Sequence, residues 1–200
     1  MWLWNGRTGT CFATLNGHSD LVTSVNLSAD NSTLASASRD KTVRLWDART
    51  GGHIATLDGH SGTVTSVTFS TDGSRLISGS FYVPRLFHYD ITSPDKTVVI
   101  WDITDNARPR VLCKKTALGL FYLSAHNRLF LLETRTNPTL CGLTVLNLGD
   151  GSPFDTRPIC WFPPDISPCQ LVVHPAALTA AVTCEAGRVL LLDISKASIL

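Results

Sequence analysis

Two hundred residues with a formal net charge of +1, 44% hydrophobic and only 16% charged, are enough to bury a core and too apolar for a disordered chain. The balanced charge supplies no field to draw in a polyanion, so nucleic acid is not an expected partner. The apolar runs at 118–123 and 129–132 are too short to span a bilayer and are split by polar residues, so no membrane partner is expected either.

The chain opens on "MWLWNGRTG", which lacks the basic segment and long apolar core of a secretory signal. Residues 15–47 then read "LNGHSDLVTSVNLSADNSTLASASRDKTVRLWD". Residues 57–80, "LDGHSGTVTSVTFSTDGSRLISGS", continued at 95–102 by "DKTVVIWD", nearly repeat them. With the intervening stretch 81–94 and its one-residue counterpart Arg39 set aside, the two agree at 20 of 32 positions. Trp4 to Trp46 and His18 to His60 are both 42 residues, and Trp46 to Trp101 is 55, which is 42 plus an insertion of 13. Weaker copies follow. "LTVLNLGDGSPF" at 143–154 puts Leu146 where Trp46 sits, and "VVHPAALTAAVTCEAGRVLLLDI" at 172–194 puts Leu192 there. Pro153, Pro158, Pro163, Pro164 and Pro168 crowd the stretch between these copies. Proline interrupts strand ladders, so 149–168 is expected as a long irregular connection.

Within a unit the apolar period is two. "VTSVNLS", "TLASAS", "TVRLW" and "HIATL" are short runs rich in small or β-branched residues, separated by turn residues such as Ala29-Asp30-Asn31 and Thr71-Asp72-Gly73. No segment sustains a helical pattern. Four strands in each unit of about 42 residues predict an all-β chain of radially repeated sheets, a β-propeller.

Gly17-His18 followed by Trp46-Asp47, and Gly59-His60 followed by Trp101-Asp102, resemble WD40 repeats. The resemblance is strong over 1–112 and weak over 113–200. The wording of the first part also resembles the WD40 arrays of fungal NACHT-type signalling NTPases. The resemblance implies a single WD40 domain over 1–200. It comprises a partial blade at 1–15 (a leading c–d strand pair), a blade at 16–57, a blade at 58–112 carrying the insertion 81–94, a degenerate blade at 113–160 and a degenerate, incomplete blade at 161–200. About four blades plus the leading pair fall short of the usual ring. An incomplete ring or a fragment is therefore expected, with open edges able to self-associate.

His18, Ser36, Asp40 and Trp46 recur as His60, Ser78, Asp95 and Trp101. A Ser, a His and an Asp can build a nucleophilic triad, but an enzyme rarely builds its site twice at repeat spacing. The resemblance implies structural tetrads instead, hydrogen-bonded from Trp through Ser to His and Asp. A buried imidazole needs both nitrogens satisfied and a buried indole N–H needs an acceptor. Past residue 112 the pattern lapses. Lys115 and Pro164 stand near the His positions, and Leu146 and Leu192 stand at the Trp positions.

The implied function is a non-catalytic protein–protein interaction scaffold or adaptor, in a finer version the sensor array of a larger signalling NTPase. Protein or peptide partners, a cytoplasmic address with the nucleus left open, and no cofactor are expected. The six cysteines form no C-x-x-C pair, so no metal is expected. The candidate interaction face carries the d–a and b–c loops, with Asp20, Arg39 and Lys41, and from the insertion Phe81, Tyr82, Arg85, Phe87 and Tyr89. Those aromatics suit a docking finger. A retained intron translated in frame fits the insertion equally. The alternatives for the whole chain are a propeller enzyme with a site in the central funnel and a non-functional gene fragment.

Overall fold

The computed structural model describes residues 1–81, 95–117, 119–123, 128–134, 141–148, 156–162, 168–174, 179–184 and 189–193. Among them the regular structure is all β, in two compact units, Met1–Lys115 and Thr116–Leu200.

The first unit opens with a ribbon, β1 (Trp2–Trp4) paired antiparallel to β2 (Cys11–Thr14). One four-stranded sheet follows from β3 (Val22–Leu27), β4 (Thr33–Ser38), β5 (Thr42–Asp47) and β6 (His53–Asp58). A second comes from β7 (Ser66–Phe69), β8 (Arg75–Ser80), β9 (Thr97–Asp102) and β10 (Arg110–Thr116). In each, every strand pairs with the next in the chain.

The first turn of both sheets is written in the same chemistry. Ser28 Oγ donates to Asp30 at 2.6 Å and the Ser32 N–H returns to the same carboxylate at 3.1 Å. Ser70, Asp72 and Ser74 repeat this at 2.6 and 3.0 Å. The tight reversal needs a left-handed residue, supplied by Asn31 (φ 58°) in one copy and Gly73 (φ 69°) in the other; these are the residue types that tolerate it.

The alternation read from the sequence sorts side chains onto two faces. Ala35, Ala37, Val43, Leu45 and Leu57 of the first sheet cluster with Val67, Phe69, Leu76, Val99 and Trp101 of the second and with Val64 just before it. The alanines on β4 let the sheets approach closely. The other face of the first sheet holds Leu34 and Trp46, covered by Leu15 with Met1 and Leu3 of the ribbon. Fully burying side chains of this size is worth about 1.5–3 kcal/mol each.

The second unit contains β11 (Gly119–Leu123), β12 (Arg128–Thr134), β13 (Cys141–Asn147) and β14 (Thr156–Trp161) in one sheet. β15 (Pro168–His174), β16 (Thr179–Cys184) and β17 (Val189–Asp193) form a three-stranded sheet. Leu129, Leu131, Leu132, Leu143 and Val182 are buried. Leu146 pairs with Leu129 on the third strand of its sheet, as Trp46 pairs with Leu34. Leu192, also on a third strand, pairs with Ala180.

β14 corrects the expectation of an irregular connection over 149–168. It is the outermost strand of its sheet, and Pro158 pairs with Thr144 just past a register shift. An outer strand can leave one side of its ladder unpaired, so a proline there removes no required donor.

Candidate functional site

Each of the first two sheets carries a side-chain chain running from its third strand to the loop before its first. In the first, the Trp46 indole N–H donates to Ser36 Oγ at 2.8 Å, and Ser36 Oγ lies 2.8 Å from His18 Nε2. His18 Nδ1 lies 2.7 Å from Asp40 Oδ2. In the second, Trp101 donates to Ser78 at 2.8 Å, Ser78 lies 2.7 Å from His60 Nε2, and His60 Nδ1 lies 3.0 Å from Asp95. The structure thus joins all eight residues in two sets of four.

Neighbours that the sequence reading passed over complete both sets. The Ser19 N–H donates to Asp40 at 3.1 Å, and the Ser61 N–H donates to Asp95 at 3.0 Å. Thr42 Oγ1 donates to Asp40 at 2.7 Å, and Thr97 Oγ1 lies 3.3 Å from His60 Nδ1. Their signal was present, because "GHS" and "DKT" occur in both copies. Lys114 had none: its Nζ reaches Gly59 O at 2.6 Å and Asp95 at 3.6 Å. Lys115, expected near a third His position, lies inside β10. The glycine before each histidine is a matter of space. A Cβ on Gly59 would sit 2.7 Å from Trp101 Cη2, and one on Gly17 would press on the Arg44 guanidinium and Trp46.

Burial alone would raise the carboxylates. For Asp40, hydrogen bonds from Thr42 and His18, then the Thr42 and Ser19 N–H groups, outweigh it and hold the group at about 2. Ser61, His60 and Thr97 do the same for Asp95, also at about 2. Burial pushes His60 below the usual histidine value, against the pull of Asp95. A neutral His60 donates from Nδ1 to the acceptor-only carboxylate, so Nε2 accepts the Ser78 hydroxyl proton. Ser78 Oγ then accepts the indole N–H and is fully buried. Both serines are buried and engaged on two sides, a geometry that locks loops to strands.

The loop end of the first sheet gathers the exposed candidates. Ser38 Oγ donates to Asp20 O at 3.2 Å, and the Arg39 N–H donates to Leu21 O at 2.9 Å. This tie brings Asp20, Arg39 and Lys41 together; Asp20 and Lys41 are exposed and Arg39 is half-buried. Phe81 corrects the expected face. It is 4% exposed, with its N–H donating to Thr65 Oγ1 at 3.2 Å, so its apolar ring takes a buried place just past β8 and is withheld from a docking surface. Tyr82, Arg85, Phe87 and Tyr89 lie outside the described residues. Among the described residues, no group of three or more His, Cys, Asp or Glu is placed to hold a metal, and no helix is long and apolar enough to cross a membrane.

Four-stranded antiparallel sheets in tandem, each tied by a Trp–Ser–His–Asp chain to the loop before it, are blades of the WD40 class. Residues 9–47 and 51–102 match the family model for the WD domain, G-beta repeat, and this part of the chain consists of WD40 repeats. A 42-residue stretch, 21% of this chain, is 51% identical to periodic tryptophan protein 2 of Arabidopsis thaliana and spans 5% of that protein's length. Repeats of this family generally serve as protein-interaction scaffolds.

Proposed function

We propose that the chain is a non-catalytic interaction module that holds a protein or peptide at the end of its blades where the d–a and b–c loops meet. One observation carries this reading. There the Ser, His and Asp groups of the two tetrads are engaged with one another, while Asp20 and Lys41 stand exposed beside Arg39 on a turn fixed by Asp40. Charges of both signs on a rigid turn suit a polar peptide, and fixing them beforehand lowers the ordering cost of binding. The repeat wording of residues 1–112 supports the finer version, a cytoplasmic sensor array within a larger signalling NTPase.

A photo-crosslinking amino acid at position 41, used in cells, tests the reading. A discrete protein adduct is expected from position 41, absent from the same probe at position 30 in the opposite turn, and lost on Asp20→Lys. Equal adducts from both positions would overturn it.

A further inference from the structure

Among the described residues the backbone turns left-handed at Gly9, Asn31, Gly51 and Gly73, and twice at a lysine, Lys41 (φ 72°) and Lys96 (φ 44°). Glycine and asparagine enter that region readily, whereas a longer side chain brings its Cβ against the following carbonyl oxygen. Both lysines hold the same place in their repeats, between the tetrad aspartate and the threonine that opens the third strand.

The fold dictates the conformation at this place. Arg39, Asp40 and Lys41 form the loop between β4 and β5. The Lys41 N–H donates to Ser38 O at 3.3 Å, and the Thr42 N–H donates across Lys41 to Asp40 Oδ1 at 3.0 Å. A three-residue loop of this kind ends on a left-handed residue, by preference glycine. The second blade carries 13 more residues before the same place, yet Lys96 is still left-handed, and Asp95 is still tied to His60 and to the Ser61 N–H. The tetrad carboxylate therefore goes with the left-handed turn in both blades. The fold does not dictate a lysine there. Both lysines are exposed, and among the described residues neither ammonium has a hydrogen-bond or ion-pair partner, whereas Lys114 at the same end is engaged with Gly59 and Asp95.

We propose that Lys41 and Lys96 are paired anchors for an acidic peptide, and that this is why a place suited to glycine holds lysine in both blades. The proposal rests on the reading of the chain as an interaction module and names the chemistry of the partner at that same loop end. The two ammonium groups stand on neighbouring blades, so a ligand that meets both is extended and carries more than one carboxylate. Each rises from a backbone already clamped by its tetrad, which lowers the ordering cost of binding. An ammonium is a compact charge with three rotatable donors, and it accepts a carboxylate from a range of directions. Asp20 takes a basic residue of the same partner.

The probe is acetylated octaglutamate amide, titrated into the full 200-residue protein at low ionic strength. Saturable binding is expected. Lys41→Gly with Lys96→Gly weakens it by about tenfold or more, and leaves the melting temperature unchanged or raises it, because glycine fits the left-handed backbone. Arg49→Ser with Arg108→Ser removes the same charge from exposed places in the turns at the opposite end and leaves the peptide bound as in the parent. Octaglutamate that does not bind, or binds indifferently to the glycine pair, overturns the proposal. So does an equal loss from the arginine pair, which would reduce the effect to net charge, and so does a melting temperature lowered by the glycines, which would give the lysines to the fold. Tighter binding of octathymidylate than of octaglutamate overturns it in favour of nucleic acid. A photo-crosslinking amino acid at position 58, which pairs with Thr42 beside Lys41, separates this proposal from the reading beneath it. A discrete adduct in cells that is lost in the double-glycine protein supports the anchors; one that persists there keeps the interaction module and overturns them.

Discussion

Residues 22–27 and 64–69 spell nearly the same strand, "VTSVNL" and "VTSVTF", yet the first lies half bare and the second is sealed. The tetrads behind them share their bond pattern but differ in cover. Trp101 lies in the core between two full sheets, whereas Trp46 lies under a two-stranded ribbon. Equal wording gives equal hydrogen bonds, because those are made within a blade. Burial is set by whatever neighbour lies against it.

The largest expected difference is between the two tryptophans. Trp101→Ala should cost about 3–5 kcal/mol, the range for a buried aromatic, with Trp46→Ala at the lower end because the ribbon can relax over the cavity. Chemical denaturation of both variants reads the gap, and equal losses would show that the ribbon seals as well as a blade. Gly59→Ala comes next, at about 1–3 kcal/mol, because its new Cβ meets a ring held in place by Ser78. Gly17→Ala should cost less, since the flexible Arg44 end can shift.

Acid should then sharpen the contrast. Burial holds the folded pKa of His60 below the ordinary histidine value of 6.5, so the unfolded chain takes up a proton first. Stability therefore falls as pH drops below about 6.5. Asp40 and Asp95, at about 2 when folded against 3.8 when unfolded, withdraw a second contribution as pH falls from near 4 toward 2. Melts across this range, with His60→Gln as the control, should show the upper step shrink in the variant; an upper step of unchanged size would remove His60 as its source.

The smallest effect is expected from the insertion. Deleting 82–94 while keeping Phe81 should change stability by less than about 1 kcal/mol, since loop length is a weak term. Removing Phe81 as well should add a loss of about 1.5–3 kcal/mol, because that ring is buried. If the two deletions melt alike, Phe81 contributes nothing by its burial.

The blades of residues 1–112 were legible because their chemistry is written twice, and a repeated His or Trp points to a repeated place. The strands beyond 112 were legible more weakly, through apolar runs such as "RLFLLE", which became β12. β14 was hidden by its proline, because the sequence does not say which strand will be outermost. Phe81 was misplaced for a related reason: an aromatic beside an insertion looks available until the cavity that receives it is known. Lys114 reaches back 55 residues to Gly59, and no local pattern announces such a contact.

In every described sheet each strand pairs with its neighbour in the chain. The sheet from β3 to β6 closes within residues 22–58, so it needs only local encounters, which occur in microseconds. During synthesis that first blade is complete before β7 has left the ribosome. Until β7 arrives, the face carrying Ala35, Ala37, Val43 and Leu45 waits uncovered for roughly a second at about 5–20 residues per second. The nascent chain is therefore briefly open to aggregation and to chaperones between its first blade and its second.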